Sequence, residues 1–273
     1  MESLFSCPLC AQPLECTDTG LICSNRHSFD RSAAGYVHLL PPNRKHSKNP
    51  GDDKEMVAAR AAFLDKGYYA PLRQALCELA LDCGKGERAP VVVDSGCGEG
   101  YYARAVQARF PEAQVIGLDL NRDAVALAAR SAERGAWFVA DLKRLPVQNA
   151  AADVVLNVFS PADYGEFRRV LTPDGELLKV VPGPDYLREV RSAVAGYLRG
   201  GAYDNASVLA HLRAHAEVIS ETPVRSVAPL SPADSHDFLR MTPMTFSVPA
   251  EALEKIVLEK ITIDVRVLRC RMR

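Results

Sequence analysis

Two groups of residues in this chain have the types and spacing to do chemistry. The first is Cys7-Pro-Leu-Cys10 with Cys23-Ser-Asn-Arg-His27. A Cys-Pro-x-Cys turn aims two thiolates at one ion, and Cys23 with His27 supplies a second pair. Three sulfurs and one imidazole make a closed tetrahedral set, the ligand chemistry of a structural zinc ion. A redox dithiol would sit beside a βαβ pattern, and none surrounds Cys7. Cys16, between the pairs, is read as a bystander. The second group is Asp94-Ser-Gly96-Cys-Gly98-Glu99-Gly100. Glycine at every second position permits positive φ and lets a ligand approach the backbone with no Cβ in the way. The amides of a following helix N-terminus would face the carboxylate of such a ligand.

The elements that hold these groups follow from the flanking patterns. Val91 to Val93 read as a short buried strand and Tyr101 to Arg109 as a helix, so the glycines close a strand onto a helix. A dinucleotide turn would want glycine at position 101, where Tyr101 stands. The spacing resembles instead the first motif of class I S-adenosylmethionine-dependent methyltransferases. After it the chain alternates. Strands are expected at 115–119, 137–140, 153–158, 177–181, 218–227 and 261–268. Helices are expected at 123–133, 164–171, 186–198, 231–241 and 250–258, with 199–216 irregular to helical. That order implies a parallel sheet covered on both faces and closed by an antiparallel last strand. Ligands of such sheets lie beyond the carboxyl ends of the strands. Asp119 with Leu120 and Asp141 with Leu142 fall there, the first for ribose hydroxyls and the second for an adenine edge. Asn157, Phe159, Ser160 and Pro161 end the fourth strand, where an acceptor meets the methyl group.

Two helices lead into the first strand. One is capped by Asp52 with Glu55 and buries Met56, Ala59, Phe63 and Leu64; the other runs from near Pro71 to Gly84 with Leu72, Leu76, Leu79 and Ala80 inward. Before them, 41–53 has the composition of a linker, with a basic run of Arg44, Lys45 and Lys48. The 273 residues are 48% hydrophobic and 25% charged, ordinary for one large domain with a small addition. A net charge of -1 confines any nucleic-acid contact to local patches. Eight cysteines are too unevenly placed for a disulfide scaffold. The chain shows no signal-peptide pattern and no span of membrane length, so the cytoplasm is the expected compartment.

Taken together the chain resembles the bacterial 23S rRNA guanine-N1 methyltransferases, the RlmA-type enzymes. The matching residues are CPLC with Cys23 and His27, GYVHLLPP at 35–42, NPGDDKEMVAARAAFLDKGYYAPLR at 49–73, DSGCGEGYY at 94–102, PGP at 182–184 and FLRMTPMTF at 238–246. The resemblance implies an α/β class I (Rossmann-like) methyltransferase sheet with a small N-terminal zinc ribbon. It implies a zinc-ribbon RNA-binding module at 1–40, a basic linker and two lead-in helices at 41–84, and an S-adenosylmethionine-dependent domain at 85–273. The implied reaction is methylation of N1 of one guanine in a hairpin loop of 23S rRNA, by a homodimer that forms the RNA cleft. Tyr69 matches a cofactor-contacting tyrosine, Gly98-Glu99 match the glycine-loop contact, and Tyr186 stands where the family places a histidine. Ser95 also departs from the family, which has an apolar residue there.

Guanine N1 carries a proton at neutral pH that a base must remove, and Asp163 is the nearest carboxylate after the fourth strand. It is equally placed to cap the helix that follows. The competing functions are a small-molecule methyltransferase whose ribbon serves oligomerisation, and a non-catalytic zinc-ribbon RNA-binding protein. The intact glycine turn and strand-end acids oppose the second, and the basic run opposes the first.

Overall fold

The computed structural model describes residues 4–41, 53–83, 88–197 and 205–273. Asp52, Gly84 and the basic run Arg44, Lys45 and Lys48 lie outside them. Four short strands come first: β1 (Phe5–Ser6), β2 (Pro13–Cys16), β3 (Gly20–Cys23) and β4 (Ser28–Asp30), forming an antiparallel sheet in that order. Leu14 and Leu21 are its buried apolar residues, with Phe29 half-buried, too little apolar surface for an independent core. It leans on the rest of the chain instead. The Phe5 ring packs 4.8 Å from Phe138, and Gln148 Nε2 donates to the Phe5 carbonyl at 2.9 Å.

A two-residue strand, β5 (Val37–His38), follows, and then α1 (Lys54–Asp65) and α2 (Ala70–Cys83). The alternating part runs β6 (Val91–Ser95), α3 (Tyr101–Arg109), β7 (Gln114–Asp119), α4 (Arg122–Ser131), β8 (Ala136–Val139), β9 (Ala152–Val158), α5 (Tyr164–Val170) and β10 (Leu171–Pro182). It ends with α6 (Arg188–Ala193), α7 (Ala206–His215), β11 (Ala216–Pro229), α8 (Pro232–Met241), α9 (Ala250–Leu253) and β12 (Lys260–Met272). The large sheet has the order β11-β12-β10-β9-β6-β7-β8-β5. Strand β12 pairs antiparallel with both β10 and β11, as expected of a closing strand, and β6, β7, β8, β9 and β10 are parallel. The order reverses between β6 and β9, which opens a crevice above their carboxyl ends. Every residue of β6 is buried, so its three valines each contribute about 1.5–3 kcal/mol by leaving water.

Several elements differ from expectation for local reasons. The cap of α1 is Asp53, whose Oδ1 accepts from the Met56 amide at 2.9 Å, and Val57 replaces Met56 in the core. Strand β10 starts early, at Leu171, and its register breaks between Leu171 and Glu176. Helix α6 starts late because Leu187 takes a positive φ and donates its amide to Thr262. Helix α9 stops at Leu253, and the Leu258 amide is held at 2.7 Å by Ser235 Oγ instead of a helical carbonyl. Two ties fix the lead-in helices. Glu176 on β10 accepts from Arg269 of β12 and, at 3.1 Å, from Cys83 of α2. Asp234 of α8 pairs with Lys66 and accepts from Tyr68 at 2.8 Å. Among the described residues no helix is long and apolar enough to cross a membrane.

Candidate active site

The four expected ligands converge. Their donor atoms lie within 4.8 Å of one another, with Cys10 and Cys23 sulfurs 3.7 Å apart and His27 Nδ1 3.5 Å from both Cys7 and Cys23. A tetrahedron of 2.3 Å bonds has an edge of about 3.8 Å, so the set fits zinc. The turn that makes this possible is local: the Cys7 carbonyl accepts from the Ala11 amide, and Cys23 from Arg26, at 2.8 Å each. Burial pushes the Cys7 thiol up to about 11, whereas the Gln12 amide draws Cys10 down to about 6. A dication shared by the set would deprotonate all three thiols.

Above the β6–β9 switch lies a cleft of about 600 Å³. Its wall includes the expected Tyr69, Gly96, Gly98, Glu99, Asp119, Leu120, Leu142 and Tyr186. Asp94, Gly100 and Asp141 are not part of that wall. Gly100 is the N-cap of α3, and Asp141 Oδ1 accepts from the Lys143 amide at 2.9 Å. Asp94 lies buried, and both its oxygens lack a hydrogen-bond partner. Burial first, and then the charges of Asp119 and Glu99, push it up to about 8.

The glycine turn is shaped by its neighbours. Gly96 has φ +87°, and a Cβ there would lie 2.3 Å from Ser160 Cβ. Gly98 has φ +54°, and a Cβ there would meet nothing within 4 Å, because it faces the cleft. Asp119 holds the turn: its Oδ2 accepts from the Gly98 amide at 2.9 Å and its Oδ1 from the Asn121 amide at 2.8 Å. Burial raises Asp119 and Glu99 above the ordinary carboxylate range, against those amides and the nearby Arg60 charge. An acidic, half-enclosed trough with a bare glycine at its floor fits a cationic sulfonium nucleoside bearing an ammonium group.

Aromatic rings close one end. The Tyr69 and Tyr186 hydroxyls share a hydrogen bond of 2.9 Å, and Phe159 stacks on Tyr186 with centroids 5.5 Å apart and planes at 24°. Phe159 holds φ +53° and is 43% exposed, so this ring presents a face to solvent at the end of β9. Asp163 is the N-cap of α5, accepting from the Glu166 amide at 3.0 Å, and stands outside the cleft wall. Two contributors had no role in the sequence. Arg60 of α1 lines the cleft and donates to the Met241 carbonyl at 3.0 Å; Thr242, Pro243 and Met244 form the wall beside it. Both segments lie inside the stretches 49–73 and 238–246 that carry the family resemblance.

Comparison with known proteins agrees with this geometry. Residues 5–48 match the family described as RlmA, N-terminal, and residues 92–175 match a methyltransferase domain. The 23S rRNA (guanine(748)-N(1))-methyltransferase of Streptomyces fradiae is 35% identical over 271 residues, covering 97% of this chain and 95% of that protein. YxjB of Bacillus subtilis is 34% identical over 275 residues, covering 97% and 96%. Among solved structures, a SAM dependent methyltransferase from Aquifex aeolicus aligns with a TM-score of 0.50 at 13% identity. It covers 81% of this chain and 99% of that one, a likeness of fold alone.

Proposed function

The chain belongs to the RlmA-type family of 23S rRNA (guanine-N1-)-methyltransferases, and from that premise we propose that it methylates N1 of a guanine in a hairpin loop of 23S rRNA. The observation that carries this reading is the near-full-length match, in which one chain joins the zinc-ligand set to the glycine-turn cleft. When bound, S-adenosylmethionine supplies an electrophilic methyl group on a sulfonium. The Gly96–Gly100 turn would take its methionyl part, Asp119 and Leu120 its ribose, and Leu142 with Asp141 its adenine. Tyr69 and Tyr186 would border the sulfonium end, and a cationic cofactor would draw the buried Asp94, up at about 8 in the chain alone, toward its charged form.

A guanine splayed from its loop needs a flat apolar partner, and the exposed Phe159 ring supplies one. Transfer then depends on holding the ring nitrogen in line with the methyl group, so positioning supplies most of the acceleration. Asp163 Oδ1 is engaged in capping α5, so the N1 proton would go to its other carboxylate oxygen. The residues divide on this reading into the ribbon module of 1–40, the linker and helices of 41–84 and the catalytic domain of 85–273. The enzyme works in the cytoplasm as a homodimer around the rRNA hairpin, with zinc holding the ribbon that grips it. Reverse transcription across 23S rRNA from cells with and without the gene tests the reaction, because an N1-methyl group blocks base pairing. A stop at one hairpin guanine that vanishes on deletion and returns on complementation is expected. An identical stop pattern in both strains would overturn it.

A further inference from the structure

One buried charge has no part in the chemistry so far. Lys179 sits on β10 in register with Asn157 on β9, 6% exposed, and donates to Asn157 Oδ1 at 2.6 Å. Among the described residues its ammonium has no carboxylate partner, and burial lowers its affinity for a proton. A charge held this way, with one neutral acceptor, costs the fold stability.

What it does is set a direction. An ammonium only donates, so the Asn157 amide must turn its oxygen toward Lys179 and its NH2 away. That NH2 lies 2.7 Å from Ser160 Oγ and 3.2 Å from both the Ser160 and Pro161 carbonyls. Because Ser160 Oγ accepts there, its own proton goes to the Ser95 carbonyl, 2.5 Å away. Ser95 precedes Gly96, the glycine against which Ser160 is pressed. A directed series of donors therefore runs from inside the sheet to the seam between the glycine turn and the loop carrying Phe159.

We propose that Lys179 is a positioning residue for methyl transfer. By fixing the Asn157 amide it clamps the Phe159–Pro161 loop onto the cofactor turn, in the left-handed conformation that presents the Phe159 ring. The proposal rests on the methyltransferase reading for its kinetic consequence and on the hydrogen bonds alone for its structural one.

Lys179→Met keeps the side chain's bulk and removes the donor. We expect kcat at saturating rRNA fragment to fall about tenfold to a hundredfold, the cost of a misplaced reacting group. S-adenosylmethionine affinity should move by no more than about threefold, a split between ground-state binding and turnover. The melting temperature should move by only a few degrees, since relief of the buried ammonium is offset by the Asn157 oxygen left without a donor. Asn157→Asp retains an acceptor for Lys179 but sets a carboxylate oxygen against the Ser160 and Pro161 carbonyls; it should reproduce the kcat loss, with the new charge pair to Lys179 offsetting part of the cost in stability. Hydrogen exchange of the Phe159, Ser160 and Ala162 amides should quicken in both variants. A kcat within about twofold of the parent in Lys179→Met, or unchanged loop exchange in that variant, overturns the proposal. A parent protein that leaves rRNA unmethylated overturns the functional reading instead, and loop exchange then decides the role of Lys179.

Discussion

Replacing Gly96 and Gly98 in turn by alanine should separate stability from cofactor binding at two positions in one turn. At Gly96 the new methyl group would sit 2.3 Å from Ser160 Cβ with φ at +87°. Left-handed backbone costs an L-residue about 1–2 kcal/mol, and forcing a methyl into packed surroundings costs about 1–3 kcal/mol more. The sum is about 2–5 kcal/mol, a large part of the 5–15 kcal/mol that holds a typical domain together. At about 2–4 °C per kcal/mol, the melting temperature should fall by on the order of 10 °C. At Gly98 the backbone cost is similar, but the methyl meets no protein atom within 4 Å. The melting temperature should then fall by only a few degrees, about 1–2 kcal/mol. The methyl group instead enters the cofactor's space, and about 1–3 kcal/mol of overlap there weakens binding about 5- to 150-fold. Calorimetric melting and titration with S-adenosylmethionine read the two quantities on the same samples. Equal losses of stability in both variants, or parental affinity in Gly98→Ala, would refute the reasoning.

Asp119→Asn turns one amide-accepting oxygen into a donor facing a donor; affinity for S-adenosylmethionine should fall about 10- to 150-fold, the worth of about 1.5–3 kcal/mol for a charged acceptor, and titration showing parental affinity would refute it. Purified protein should contain one zinc per chain, and a Cys7→Ser, Cys10→Ser double variant should lose it while still binding S-adenosylmethionine; elemental analysis that finds the metal retained would count decisively against the ligand set. Asp234, held down to about 2 from an ordinary 3.8 by Lys66, Ser231 and Tyr68, should stabilise the α1–α8 contact fully above about pH 4 and lose that contribution as pH falls toward 2. In a pH series of melting curves, the gap between the parent and Asp234→Asn should therefore close below about pH 4, and a gap that persists there rules the tie out. Changing Arg44, Lys45 and Lys48 together to alanine should weaken rRNA-fragment binding and flatten its salt dependence by up to about one unit per lost phosphate contact; filter binding with an unchanged slope would return that run to a solvated linker.

Features that depend on neighbours in sequence were legible before the fold was known. The zinc ligands come in two pairs, each within one turn, and the glycine turn is a single strand-to-helix junction, so spacing alone reveals both. Asp119 and Leu142 were legible because they follow strands whose apolar runs are unmistakable. Arg60 and the Thr242–Met244 wall were not, because helix α1 and the end of α8 reach the cleft only through long-range packing. Lys179 was hidden for a different reason. One lysine in an apolar strand carries no signal until the β9–β10 register sets it beside Asn157. Asp163 was legible as a cap as well as a base, and the structure shows the cap, its side chain meeting the demand of a helix N-terminus for an acceptor.

The short strand β5 has a consequence for the order in which the molecule is made. Val37 pairs with Phe138 and His38 with Val139, parallel and at the outer edge of the large sheet. During synthesis the ribbon therefore leaves the ribosome complete in its metal ligands but without its docking partner, and must wait until β8 has emerged. Zinc can hold the ribbon through that interval, because its four ligands are all made first. When β5 finally adds to β8 it covers a row of backbone donors and acceptors that would otherwise recruit another chain. The metal site thus braces the first-made segment until it can cover one border of a sheet made after it, β11 forming the other border.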